Sequence, residues 1–418
     1  MKRPGSSNGE FSNSILFFSG KTVSVFFSSV YAFVIGLYVL RMTGSGLSYA
    51  VTISIQILPV VLVSPFAGVL ADRLNKKYMI IFTDLFSGML FIVMYLAGRQ
   101  GLTVSLIYPV SFLASVSETL FNICMDSSVP NLVSRGNILR LNSVSKIIDS
   151  GAAVISPGLG GLLFALVDIR LFILINAVSF LFSAFTECLI NFSLYAKAPE
   201  CCQKIDIKKD IAEGVAYIRN TGWIISLLVC FVLLNFFMGL MYSVPLPCIL
   251  NNVLHLPSNE YGMLQSAMPV GMIAGALMVK KVTSGAPSSK RMSLSGILFS
   301  VCMFFLGLYP AAIRNAGNGA AMAYYAVFLL IMGILVSLID IPFIYHLQNN
   351  VPEDIRGRVL SISISLVKTV TPVGYMISGA LIGHVPPFAI PLFGSVVSCG
   401  VFLMISRAKV KPGSGPAA

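Results

Sequence analysis

Seven charged residues stand inside long apolar stretches of the sequence: Lys21, Asp84, Glu118, Asp149, Glu187, Asp340 and Lys368. A charge at the centre of a hydrocarbon layer costs roughly 2.5–3.5 kcal/mol on insertion scales, so each is a candidate for proton carriage, ion pairing or contact with a polar cargo. Lys21, Asp149 and Glu187 have a plainer alternative, because long side chains near the end of an apolar stretch reach the interface or pair with a loop charge. Asp149 is kept beside it as a proton or substrate candidate. Lys368 is different. It lies about ten residues into its stretch, so its backbone is about 15 Å deep in a layer about 30 Å thick. Ser361, Ser365 and Lys368 are four and three residues apart and share a helical face. That face is expected to line a wet cavity, with Lys368 pairing with an acid such as Glu118 or attracting an anionic group on the cargo. Other chemistries have no residues to carry them. No Cys pair stands near a usefully placed His, so no metal site is expected. No Gly-rich loop ends in Lys-Ser/Thr, and no Ser/His/Asp constellation is present, so neither an enzyme nor a cofactor is expected.

The elements that must position these groups follow from composition. The 418 residues are 56% hydrophobic and 11% charged, with a mean hydropathy of +0.87. Soluble domains carry about 25% charged residues, so lipid is the solvent here. The apolar blocks leave room for about twelve spanning helices of about 20 residues each. The first six are expected at about 14–40, 47–70, 78–98, 102–124, 144–167 and 170–195. The second six are expected at about 223–250, 259–281, 291–310, 320–347, 359–384 and 387–406. The chain therefore reads as all-α, with a disordered tail over 1–13 and two six-helix halves over 14–195 and 223–406. A cytoplasmic linker over 196–222 joins the halves, and a second disordered tail covers 407–418. Within the linker, Ile207, Ile211, Val215 and Ile218 recur at helical spacing, the pattern of an amphipathic helix lying along the membrane surface.

Charge orients the chain. The net +12 comes from bases between apolar blocks rather than along one polar face, so it reads as a topology signal and a lipid-headgroup contact, with no role for nucleic acid. With the N-terminus inside, the outer connections hold Arg41, Arg99, Arg170 and Arg314. The inner ones hold most of the rest, including Lys280, Lys281, Lys290, Arg291, Arg356 and Arg358. Both termini are thus expected in the cytoplasm. The halves also look related, since Pro59 and Pro157 recur about half a chain later as Pro269 and Pro372.

The short connection Gly68-Val-Leu-Ala-Asp72-Arg73-Leu-Asn75-Lys76-Lys77 joins the second and third spans. Its Gly, its Asp-Arg pair and its following bases resemble the loop signature of the major facilitator superfamily of transporters. Asn75 stands where that family usually has a second Gly, and a left-handed turn is expected to survive there because Asn tolerates it. The resemblance implies an inner gate formed by Gly68, Asp72, Arg73, Lys76 and Lys77, joined by Asp84. Asp72 would sit at the N-terminus of the eleventh span, around Val359 to Ser361.

The fifth span reads Gly151-Ala-Ala-Val-Ile-Ser156-Pro157-Gly158-Leu-Gly160-Gly161. Ala152, Ser156 and Gly160 form a strip of small residues suited to close helix packing in lipid. The stretch resembles the fifth-helix signature of the antiporter branch, with Ser156 in place of its first Gly, and that signature implies export. Pro372, Gly379 and Gly383 echo it in the eleventh span. The fourth and tenth spans line the central cavity in proteins of this fold, which makes Glu118 and Asp340 the preferred proton or cation carboxylates. The Arg that many exporters carry in the fourth span is missing from Phe112-Leu-Ala-Ser-Val-Ser-Glu118.

Five stretches together are similar to the bacterial macrolide-efflux and siderophore-exporter-like branch. They are Phe18-Ser-Gly20-Lys-Thr-Val-Ser24, Thr43-Gly-Ser45, Gly68–Lys77, Thr83-Asp84 and Val351–Val359. The resemblance implies a monomeric exporter of the bacterial inner membrane, moving a small amphipathic compound by proton-driven alternating access, with protons or another coupling ion and lipids as its other partners. An importer of a nutrient or siderophore remains as an alternative, and a non-transporting sensor or assembly partner as another.

Overall fold

The computed structural model describes residues 6–407 apart from 74, 135–136, 193, 196–206, 283–288 and 313–317. Every regular element described is helical. The first half holds α1 (Ser6–Thr43), α2 (Gly46–Arg73), α3 (Lys76–Ala97), α4 (Val104–Leu132), α5 (Ile138–Leu166) and α6 (Ile169–Cys188). A connecting helix α7 (Ile207–Asn220) follows. The second half holds α8 (Gly222–Met238), α9 (Pro245–Cys248), α10 (Ser258–Gln265), α11 (Ala267–Val282) and α12 (Ser289–Ala312), then α13 (Asn318–Asn350), α14 (Glu353–Ile382) and α15 (Ala389–Arg407). Among the described residues, twelve stretches are long and apolar enough to cross a membrane, and α8–α9 and α10–α11 each make one of them. Their outer faces carry Phe82, Met89, Phe185, Leu277 and Phe393, more than half exposed, as lipid-facing side chains should be. This is a multi-pass membrane protein.

Three details depart from the sequence expectations. The tail expected over 1–13 is helical from Ser6. Asn13 is buried there and its amide donates to the Leu132 and Asn191 carbonyls at 3.1 and 2.9 Å, which ties down a polar segment. The seventh span is not one regular helix, since π turns at Gly239–Ser243 and Ile249–Val253 flank α9. Pro245 and Pro247 lack the N–H that the regular ladder needs. Asn75 has φ −68°, so the loop makes no left-handed turn. Its side chain instead caps α3 by accepting from the Lys77 N–H at 3.1 Å.

The chain divides into two compact units, residues 1–39 with 52–202, and residues 40–51 with 203–418. In the first, α3 packs on α4 and α6. In its core Tyr31 meets Phe91 edge to face at a centroid separation of 4.6 Å, and Phe91 stacks on Phe180 at 5.4 Å. Gly160 of α5 meets Phe33 of α1 so closely that an added Cβ would come within 2.8 Å of that ring. In the second, α12 packs on α13 and α15, so the third, fourth and sixth spans of one half recur as the ninth, tenth and twelfth of the other. The closest approach is between α11 and α13, where a Cβ on Gly333 would lie 2.1 Å from the Met268 carbonyl oxygen. Lipid gives two apolar helices little reason to associate, so such backbone contact supplies the attraction. Gly379 of α14 approaches Ala50 and Leu47 within the same unit, while Gly383 ends that helix as its C-cap. Of the linker, α7 is described, and it packs on α14.

Candidate functional site

In the first unit, Gly20-Lys21-Thr22-Val23-Ser24 places Lys21 and Ser24 one turn apart on α1. Lys21 is fully buried. Its Nζ lies 2.8 Å from Asp126 Oδ1 on α4 and 3.4 Å from Asp149 Oδ1 on α5, and it also hydrogen bonds Ser145. The Ser145 hydroxyl in turn donates to Asp126 Oδ1 at 3.0 Å, and Lys146 approaches Asp149 at 3.4 Å. Lys21 therefore does not reach for the interface: a buried ammonium needs paired oxygens, and three helices converge to provide them. Asp149 is one of them. Asp126 was not a candidate in the sequence because the fourth span was expected to end at 124, whereas α4 continues to Leu132. Its signal was available, since Cys124, Met125, Val129 and Leu132 continue the helical apolar spacing past it.

One turn along α1, Ser24 donates to Asp84 Oδ1 at 3.0 Å. Asp84 of α3 and Glu187 of α6 are 1% and 0% exposed and both face α1 between Gly20 and Ser24, with Asp84 Oδ2 and Glu187 Oε2 left without a donor among the described residues. The Ser183 hydroxyl lies 3.1 Å from Glu187 Oε1 and 3.0 Å from the Gly20 carbonyl, and its one proton is available to either acceptor. The absence of a side chain at Gly20 lets α1 come this close, because a Cβ there would meet the Thr186 hydroxyl at 3.1 Å and the Glu187 side chain at 3.3 Å. A carboxylate only accepts, so two carboxyls can hydrogen bond each other only when one of them keeps a proton. The sequence expectation put Asp84 with Asp72 and Arg73, and Glu187 in a pairing near the end of its helix. The structure brings the two acids to the same stretch of α1.

The bases after Asn75 close the same end of this unit. Lys77 Nζ donates to the Cys188 and Ile190 carbonyls at 2.7 and 3.1 Å, a cation at the C-terminus of α6 where the helix dipole favours it. Lys76 Nζ donates to the Ser127 carbonyl at 3.0 Å. Gly68, Asp72 and Arg73 lie in the last turns of α2. The side chains of Asp72 and Arg73, and hence the gate contact expected of Asp72, lie outside the described residues. Glu118 is half-buried on α4, between buried Ser117 and Thr119. Ser156 and Gly161 are buried on α5, which also contains Pro157.

In the second unit, Asp340 of α13 lines a cavity of about 200 Å³ with Asn235, Met238, Met268, Met272 and Phe299. Three thioethers, a ring and the aliphatic Leu234, Val336 and Ile339 form its wall, with one carboxylate and one amide as polar points. No base among the described residues forms an ion pair with Asp340. Lys368 is exposed on α14 and Ser365 half-buried, while the Ser361 side chain lies outside the described residues. The Thr369 and Thr371 hydroxyls donate back to the Ser365 and Val367 carbonyls at 2.8 and 3.1 Å, so part of that polar run is satisfied by its own helix, which includes Pro372. A chain of hydrogen bonds that the sequence reading missed runs from Tyr242 to Gln265 at 2.9 Å and from Gln265 to buried Tyr261 at 2.8 Å. Tyrosines in an apolar block look like core, and only the docked helices reveal the chain.

Comparison with known proteins gives a consistent result. The family model described as Major Facilitator Superfamily matches residues 17–371. The chain is 24% identical over 359 residues to the uncharacterized MFS-type transporter YfiS of Bacillus subtilis, covering 78% of this chain and 76% of that one. It is 21% identical to macrolide efflux protein A of Streptococcus pyogenes, covering 86% and 87%. It is also 21% identical to the multidrug efflux pump Tap of Mycobacterium tuberculosis, covering 82% and 80%. Among solved structures, the nucleoside transporter NupG superposes with a TM-score of 0.73 at 13% identity, covering 96% and 100%. A bacterial homologue of the iron transporter ferroportin in its inward-facing state gives 0.70 at 16% identity, covering 95% and 99%. At these identities the solved structures speak for the fold.

Proposed function

The chain belongs to the Major Facilitator Superfamily of membrane transporters, and from that premise we propose that it is a secondary active efflux transporter exporting a small amphipathic compound by proton antiport. The observation that carries the choice of cargo is the Asp340 cavity. Methionine side chains adapt to varied apolar shapes, and a single carboxylate adds attraction for a cationic group. Macrolide-like and cationic drug-like compounds combine those two features. Export is supported by the efflux functions of the macrolide and multidrug relatives and by the small-residue strip around Ser156, Pro157, Gly160 and Gly161. Alternating access follows from the duplicated halves. The excess of bases in the inner connections supports a bacterial cytoplasmic membrane with both termini inside, and the transporter acts as a monomer.

The test is a pair of strains with and without the gene, profiled against macrolides and lipophilic cations. Cells carrying the gene should tolerate more compound and accumulate less ethidium, and a protonophore should erase the difference. Equal accumulation in both strains for every compound, or uptake into cells instead of removal, would refute export. Accumulation inside everted vesicles separates exporter from importer directly.

A further inference from the structure

We infer that Asp84 and Glu187 form a shared-proton site within the first unit, and that this pair carries the proton whose release drives transport. The coupling role rests on the antiport reading; the shared proton stands on geometry alone. Both acids are buried, and they face the same two turns of α1. Asp84 Oδ2 and Glu187 Oε2 receive nothing from any N–H or hydroxyl among the described residues. Among the described residues, no base forms an ion pair with either acid. The buried base Lys21, one turn away on α1, is committed to Asp126 and Asp149. Other charged or titratable groups described on these helices are occupied or exposed. Lys76 and Lys77 hold backbone carbonyls, and Glu10 is held by Asn137, Ser134 and Tyr195. Cys188 is an exposed thiol. Two neighbouring ionised carboxylates without a cation are not tenable in a dry site, so the occluded pair holds one proton and one negative charge.

Release has a structural handle. Ser24 and the Gly20 carbonyl, both on α1, hold Asp84 and Ser183 respectively. A movement of α1 away from α3 and α6 breaks both hydrogen bonds together and admits water. The proton then passes to water, the O–H bond of the carboxyl breaks with its electron pair left on oxygen, and both carboxylates are hydrated. The reverse movement requires a proton to return. Because α1 also carries Lys21, the same movement strains the Asp126 and Asp149 pairing.

The variants Asp84→Asn and Glu187→Gln keep a donor for the remaining carboxylate and so mimic the loaded pair without an exchangeable proton. Two measurements decide the matter. Infrared spectra of the purified protein at neutral pH should show a protonated-carboxyl band that shifts in D2O and is absent from both single variants and from the double variant. In everted vesicles with the membrane potential clamped to zero, one proton exchanged per ethidium should give about ten-fold accumulation per pH unit. Asp84→Asn and Glu187→Gln should abolish that accumulation and retain ethidium exchange. A band that persists in the double variant, or that sodium removes, would overturn the shared proton. A band lost as expected, with both variants still accumulating ethidium like the wild type, would overturn the coupling role. If the wild type accumulates no ethidium at all, the efflux reading falls, the coupling role falls with it, and the infrared band still decides the proton.

Discussion

Removing one member of the Lys21 cluster should have an effect that depends strongly on which member goes. Lys21 has 1% side-chain exposure, whereas Asp126 and Asp149 are 46% and 34% exposed. Lys21→Met deletes the buried charge and leaves two carboxylates that water already reaches, so the loss should be small, about 1 kcal/mol or less. Asp126→Ala does the opposite, leaving the ammonium buried. Breaking a buried pair by removing one partner costs about 3–5 kcal/mol, but Asp149 remains at 3.4 Å as a substitute. The single acid variant should therefore lie below that range, at about 2 kcal/mol, and the double variant Asp126→Ala/Asp149→Ala should reach it. Adding Lys21→Met to the double variant should recover most of the loss, because the stranded charge is gone. The assay is the unfolding midpoint of each purified variant in one detergent. The expected order is wild type, Lys21→Met, Asp126→Ala, then the double acid variant. If Lys21→Met unfolds earlier than the double acid variant, or fails to rescue it, the ammonium is not the buried charge that the acids serve.

Three further outcomes are expected. Gly333→Ala puts a methyl 2.1 Å from the Met268 carbonyl and should cost about 1–3 kcal/mol, whereas Gly400→Ala meets nothing within 4 Å; equal unfolding midpoints would show that α11 and α13 are not in backbone contact. Asp340→Asn should weaken ethidium binding several-fold, by roughly 1 kcal/mol, while leaving a neutral macrolide analogue unaffected, as read by fluorescence titration; equal loss for both ligands would mean that the carboxylate shapes the cavity rather than recognising charge. Asp72→Asn should lower ethidium efflux at unchanged abundance on an immunoblot, and normal efflux at normal abundance would remove Asp72 from the gate.

The number of spans, though not every end, was legible in the sequence, because a helix in lipid satisfies its own backbone and a run of about 20 apolar residues has few other outcomes. The loop Gly68–Lys77 was legible as a family signature, but the role of Asn75 was not: an Asn fits a left-handed turn or an N-cap equally well, and the position of α3 chose the cap. The candidate acids were legible as a set, since any charge in an apolar block is conspicuous. Their partners were not. Spans that are apolar on every side give no periodicity to say which face meets which neighbour, so nothing local ties Asp84 to Glu187 or Lys21 to Asp126. Those pairings arise where Gly20 lets α1 approach α6 and where α4 extends past its expected end to bring Asp126 under Lys21. Hydropathy and helix length act along the chain and are written in it, whereas the pairing of buried charges depends on distances of a few ångströms between helices, which only docking decides.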